Sequence, residues 1–232
     1  MMTLSPAEWQ AFALSLQVAA GATAVGLPLA YLAAWTLARR HFWGKGLVKA
    51  AIQLPLVLPP VVVGYLLLQV FGRNGPVGAP LAALGITLPF TTLAAGIAAG
   101  VMAFPLMVRA CRLSIEALDP KLEDAARIHG AGAVRRFLTL SLPLSLPGLL
   151  AGATLGFARG FGEFGATIVF AANIPGETRT LPIAIYSALQ SPNGDAAAAR
   201  MVTVSVIAAL GAFLLSEWLE RRTRARLSGR SK

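Results

Sequence analysis

Cysteine and histidine are nearly missing from this 232-residue chain, which has Cys111 alone and only His41 and His129. A lone cysteine excludes an intramolecular disulfide, and two scattered histidines leave no Cys/His set for a structural metal. Acidic residues are also few, 10 against 20 Lys and Arg, and no paired carboxylates or Ser/His/Asp arrangement points to catalysis. The glycine-rich run at 72–80 lacks the Gly-Lys-Ser/Thr ending of a phosphate-binding loop, and no other nucleotide-binding motif is found. The first ten residues lack the basic stretch of a secretory signal, and the apolar run behind them is too long for one. The chain is expected to use no cofactor and no metal, and not to be an enzyme itself.

Apolar residues, by contrast, are abundant: 56% of the chain, with a mean hydropathy of +0.68. They fall in five blocks, 11–38, 47–71, 89–108, 142–158 with a broken continuation to 172, and 201–219. A helix needs about 20 residues to cross a hydrocarbon core, and all but the irregular fourth block meet or nearly meet that length. Too few charges interrupt the blocks for them to be core helices of a soluble protein. The expectation is an all-α integral membrane protein, one transmembrane domain over 1–232 with about five spans.

Charge orients it. Of the 20 basic residues, 16 lie in residues 39–49, 109–141 and after 219, and the other four are Arg73, Arg159, Arg179 and Arg200. With the acids divided the same way, one side nets +10 and the other zero. Basic loops stay in the cytoplasm, so the amino terminus is expected outside and the carboxyl terminus inside. A net charge segregated between loops in this way speaks against nucleic acid and for a multi-pass membrane protein in contact with lipid. Trp9, Trp35, Trp43 and Trp218 fall near expected helix ends, as interfacial anchors do. Five spans enclose a polar pore poorly, which points to a homodimer or hetero-assembly.

Several spans are irregular. Pro55, Pro59 and Pro60 interrupt the second block, and Pro143 and Pro147 open the fourth. Such prolines kink helices, either for packing alone or so that the helix lines a path and moves. Gly148, Gly152, Gly156 and Gly160 recur every fourth residue, and Gly96 and Gly100 do so in the third block; these faces allow close helix approach and place the fourth helix centrally. Arg159 and Glu163 stand four apart, a salt-bridge spacing if the helix persists, yet Gly160, Gly162 and Gly165 argue for a bent, partly re-entrant segment. Ionisable groups at membrane depth usually face a bundle interior or aqueous cavity. Arg159, Gly162, Glu163, Phe164, Gly165 and Thr167 are therefore candidates for a path or gate, with an interfacial ion pair as the alternative. Residues 180–190 read as a short interfacial or re-entrant helix on the external side.

Between the third and fourth blocks lies a polar island, residues 113–140. Asp119 suits a helix N-cap, Pro120 the first turn, and Glu123 and Asp124 the positive helix end. Ala125 and Ala126 give a small-residue face, Gly130 a stop or tight turn, and 133–140 a second short helix. The result is a compact cytoplasmic knob, either suited to a groove on another protein or simply a solvated loop helix.

Here the chain resembles a known family. Asp124-Ala125-Ala126, then Gly130, Leu140 and Leu142-Pro143 are similar to the EAA-loop signature of ABC importer permeases. Asp124, preceded by Glu123, stands where the family usually has Glu, and Leu140 where it has Ile. The runs at 54–64 (LPLVLPPVVVG), 104–109 (FPLMVR), 157–167 (FARGFGEFGAT) and 173–180 (NIPGETRT) resemble the molybdate-type branch, and the likeness covers nearly the whole chain. It implies a type I importer permease with a cytoplasmic coupling-helix loop at 113–141. It further implies a homodimer, two separate ATPase subunits, an external molybdate-binding protein and an oxyanion substrate, with Glu123, Asp124, Ala125, Ala126, Gly130, Leu140, Leu142 and Pro143 at the ATPase contact.

Arg159 is the only basic candidate at membrane depth, so a tight permease site built of several arginines is not expected. Thr154, Thr167 and backbone amides at broken helices would line a weak path, leaving selectivity to the binding protein. Tungstate or sulfate remain alternatives. A secondary anion transporter driven by an ion gradient would show inverted repeats and coupling carboxylates within spans, and no convincing repeat is found.

Overall fold

The computed structural model describes residues 4–228, and of 120, 123, 216, 219, 220 and 223–228 only the backbone; the described residues form helices and turns without a strand. The helices are α1 (Pro6–Arg39), α2 (Lys45–Val57), α3 (Pro60–Phe71), α4 (Gly78–Ala83), α5 (Thr92–Glu116), α6 (Pro120–Ile128), α7 (Ala133–Arg136), α8 (Leu142–Leu144), α9 (Leu146–Phe161), α10 (Gly165–Phe170), α11 (Leu181–Leu189) and α12 (Asp195–Ser228). Local sequence explains their starts. Ser5 and Glu8 form a reciprocal capping box, Glu8 N–H donating to Ser5 Oγ (3.3 Å) and Ser5 N–H to Glu8 Oε2 (2.7 Å), with Pro6 in the first turn where no amide donor is missed. Thr91 Oγ1 caps α5 by accepting from Ala94 N–H (3.2 Å).

The apolar block at 47–71, read as one span, is two helices bent by 117°. A residue preceding proline is pushed out of the helical region, and Leu58 and Pro59 both precede one. They take extended conformations, ψ 144° and 135°, and the chain turns between α2 and α3.

Neighbouring contacts settle helix directions. An added Cβ at Gly26 would meet Met107, one at Gly100 would meet Ala22, and Arg39 Nη2 donates to the Leu118 carbonyl (3.3 Å). Residues 22, 26 and 39 thus pair with 100, 107 and 118, so α1 and α5 are parallel. The segment joining them must travel back across the bundle, which makes α2 and α3 a broken crossing rather than a loop returning to its own side. In α9, Gly148 faces Ser114, Gly152 faces Cys111 and Gly160 faces Ala99, so α9 runs the opposite way. The last helix starts where Arg200 meets Glu8 (2.6 Å) and packs mainly on α9 and α11. Among the described residues three helices are long and apolar enough to cross a membrane, or up to five if each bent pair counts as one span. Below, the "Glu8 end" holds Glu8 and Arg200, and the "basic end" holds Arg39 and Leu118.

The interior is made of small residues. Ala94, Ala95, Ala98, Ala99 and Ala103 of α5 are fully buried. The four glycines of α9 press on α5 and α1, as their spacing led us to expect. Gly96 and Gly100 do not: a Cβ at Gly96 would meet nothing within 4 Å, and one at Gly100 only Ala22 at 3.8 Å. Close approach on α5 is carried by alanines on another face. Residues 180–190 do form a short helix, α11, with Leu181 and Ile183 buried. Its first amide, on Leu181, donates to Ser15 Oγ of α1 (2.7 Å), a buried helix start satisfied from a neighbouring helix.

Candidate functional site

Two groups of residues stand out, at different depths. At the basic end, α6 emerges from the bundle after α5. Asp119 Oδ1 accepts from Lys121 N–H (2.9 Å) as its N-cap, and Gly130 closes it with φ +78°. The Gly130 amide donates to Arg127 O and the Ala131 amide to Ala126 O, both 3.0 Å, the paired bonds of a Schellman stop. Glu123 and Asp124 sit in the middle of α6, and Asp124 and Ala125 are exposed.

The second half of the island is longer than 133–140. Helical backbone runs over Ala133–Leu144, with a wide turn at Phe137–Ser141 in which Leu142 N–H reaches back to Phe137 O. Pro143 explains the widening, since its ring crowds the carbonyl four residues earlier and supplies no amide donor. This rod is seated on the bundle: Phe137 packs edge-on against Tyr31 (5.8 Å) and Trp35 (6.4 Å), and Leu142 lies on the same cluster. Leu140 is half-buried. At Ser145 the chain bends 65° into α9. The Ser145 hydroxyl donates to Ser141 O (2.6 Å) and accepts from Tyr31 (2.8 Å), while Ser114 Oγ donates to the Ser145 carbonyl (3.4 Å).

The knob carries an apolar surface that a small-residue reading did not anticipate. Leu122, Ile128, Val134 and Leu138 are exposed, Ile128 by 83% and Val134 by 72%. Apolar residues recurring inside an otherwise polar segment were the available signal.

Toward the Glu8 end, α9 stops at Phe161 and α10 starts at Gly165. Arg159 Nη1 lies 2.6 Å from Glu163 Oε2, with side-chain exposures of 27% and 1%. Oε2 receives no hydrogen bond, so this is an ion pair with poor donor alignment. Glu163 Oε1 accepts from the Ala166 amide (2.8 Å) and holds the start of α10. Gly162 is exposed, Phe164 rests on Tyr186 (5.1 Å), and a Cβ on Gly165 would come within 2.7 Å of Pro60. Thr167 is buried rather than lining open space, and Thr154 Oγ1 donates to Leu150 O (2.9 Å). The six candidates of residues 159–167 therefore lie together, against the start of α3. Among the described residues no three His, Cys, Asp or Glu gather as a metal set.

Sequence reasoning missed Glu8 and Arg200. Glu8 caps its own helix and accepts from Arg200 Nη2 at 2.6 Å across 192 residues. The Ser-x-x-Glu spacing at 5–8 was the legible half of that pair.

An all-helical bundle with a broken crossing, a docked rod and an exposed knob is the architecture of an ABC importer permease. A chain of a bacterial ABC transporter involved in the import of the acidic polysaccharide alginate superposes with a TM-score of 0.74 at 18% identity, over 94% of this chain and 80% of that one. The chain belongs to the binding-protein-dependent transport system inner membrane component family, whose profile matches residues 26–225. It is similar to the molybdenum transport system permease protein ModB of Escherichia coli (strain K12), with 53% identity over 97% of this chain and 99% of the relative. The ModB protein of Haemophilus influenzae (strain ATCC 51907 / DSM 11121 / KW20 / Rd) is 52% identical, over 95% of this chain and 96% of that one. A probable sulfate transport system permease protein, cysT of Mesostigma viride, is 34% identical over 92% and 78% respectively.

Proposed function

We propose that this chain is the membrane-spanning subunit of an ATP-driven molybdate importer of a bacterial inner membrane. It works as a homodimer with two ATPase subunits inside and an oxyanion-delivering binding protein outside, the Glu8 end facing out and the basic end facing the cytoplasm. The observation that carries this reading is 53% identity to a molybdenum permease along nearly its whole length. Sulfate is the weaker reading, at 34% identity, and tungstate shares molybdate's charge and shape.

The mechanism follows from the parts. Each knob inserts Leu122, Ile128, Val134 and Leu138 into a cleft of an ATPase subunit, with Glu123, Asp124, Ala125 and Ala126 on the inserted helix and Gly130 fixing its angle. ATP-driven closure of the ATPases moves the knob. The rod 133–144, with Leu140, Leu142 and Pro143, passes that motion to α1 and α5 through Phe137 and Leu142. The bundle then rocks between inward- and outward-facing states, and the broken segment from Arg159 through Gly162, Glu163, Phe164 and Gly165 to Thr167 opens or closes the path. Selectivity resides mainly in the binding protein.

The test is reconstitution in liposomes with and without the cognate ATPase and binding protein. We expect molybdate uptake only when ATP and both partners are present. Uptake by this chain alone without ATP would sink the proposal in favour of a secondary transporter.

A further inference from the structure

A cleft of about 400 Å³ opens between α2 and α5 at the basic end. Lys49 lines it from α2, and Arg109 and Arg112, three residues apart on one face of α5, line it opposite. Arg112 Nε is held by Glu116 Oε1 (2.6 Å). Lys49 and Arg109 make no ion pair among the described residues. Three cations and one carboxylate leave the lining at +2. Leu56 and Val108 form apolar walls, and low-dielectric walls around charges of one sign focus their field on an incoming anion. Cations that serve only to orient a membrane protein have no need to converge on a concave surface. These come from two polar segments far apart in sequence, which is why counting charges at membrane depth found Arg159 alone.

The geometry points to this cleft as a binding site for a tetrahedral dianion, with Lys49 and Arg109 as its principal ligands and Arg112 completing the charge match. That chemistry has two sources, the free transported oxyanion arriving at the cytoplasmic mouth or the phosphate monoester of an anionic lipid head. The free-oxyanion assignment rests on the permease reading given above.

The experiment places the full chain in phosphatidylcholine nanodiscs and titrates molybdate calorimetrically. Two lost charge-assisted contacts are expected to weaken binding by about tenfold or more in Lys49→Gln/Arg109→Gln. Arg73→Gln, at the other end, leaves binding unchanged, and the charge-conserving pair Lys49→Arg/Arg109→Lys binds more tightly than the double Gln variant, because it keeps the lining charge although not the guanidinium geometry. A second arm omits molybdate and adds phosphatidic acid to the discs, reading the phosphorus chemical shift of its headgroup; a shift abolished by the double Gln variant assigns the cleft to lipid phosphate. If the double Gln variant does not fold, the exposed Arg109→Gln alone and the charge-conserving pair carry both arms. No binding in either arm, or binding indifferent to the Gln variants, overturns the site. Uptake by the complete transporter is measured alongside. Normal ATP-dependent uptake with an empty cleft removes this site and leaves the permease reading standing, whereas ATP-independent uptake removes that reading whatever the cleft binds.

Discussion

At the scale of single residues, the α9 glycines differ sharply in what surrounds them. A Cβ on Gly148 would lie 2.2 Å from Ser114 Cβ and 3.0 Å from the Ala110 carbonyl, whereas one on Gly160 would meet Ala19 and Ala99 at 3.5–3.7 Å. The first contact is with atoms fixed close to the α5 backbone; the second is ordinary packing. Gly148→Ala should therefore cost about 1–3 kcal/mol as overpacking, and Gly160→Ala close to nothing. Thermal unfolding of the two variants in detergent checks this, and equal melting temperatures would refute the packing account. The Arg159–Glu163 pair is asymmetric in a similar way. Removing Arg159 strands a carboxylate that is 1% exposed, a loss of about 3–5 kcal/mol for a buried pair broken from one side. Glu163→Gln keeps an oxygen for the Ala166 amide, and Arg159, 27% exposed, has a route to water. We expect Arg159→Ala to lower folded yield far more than Glu163→Gln, and Arg159→Gln/Glu163→Gln to recover most of the loss. A double variant as poor as Arg159→Ala alone would show that the pair is not what holds the segment.

At the scale of elements, the knob depends on one backbone conformation. Gly130 has φ +78° and open space where a Cβ would go, so strain rather than crowding limits substitution. Gly130→Asn, tolerant of left-handed backbone, should keep coupling. Gly130→Val should lose about 1–2 kcal/mol of local stability or more and uncouple ATP hydrolysis from uptake while the bundle's melting point holds. Full uptake by the Val variant would refute the knob as the coupling element. The knob was legible in advance because its signals are local: Asp119, Pro120 and Gly130 act within a few residues of themselves. The prolines at 59 and 60 likewise announced a break between α2 and α3. Its 117° size was not legible, because it is set by two extended residues and by α3 packing on α10 through Gly64 and Gly165. The apolar knob surface and the Lys49–Arg109 cleft were hidden for a related reason. Both depend on which side chains face the same way once the bundle is assembled, and the tie between Glu8 and Arg200 spans nearly the whole chain.

At the scale of the whole molecule, parallel α1 and α5 require the segment between them to cross once more, so that α1, residues 45–71 and α5 make three successive crossings. Were α2 and α3 to return to their own side instead, α5 would have to run against α1, and Arg39 could not reach the Leu118 carbonyl. The native cysteine makes this testable without removing anything, because Cys111 is fully buried against α9 and should not react with an impermeant maleimide from either side. Trp43 is fully exposed at the basic end, and Arg73 is exposed beyond α3 at the other. Trp43→Cys should be labelled only in inside-out vesicles and Arg73→Cys only in right-side-out ones, with the unmodified chain silent in both. Labelling of both positions from one side would mean that residues 45–71 do not cross. The parallel register of α1 and α5 and the proposed placing of Arg73 outside and the knob inside would then fall together.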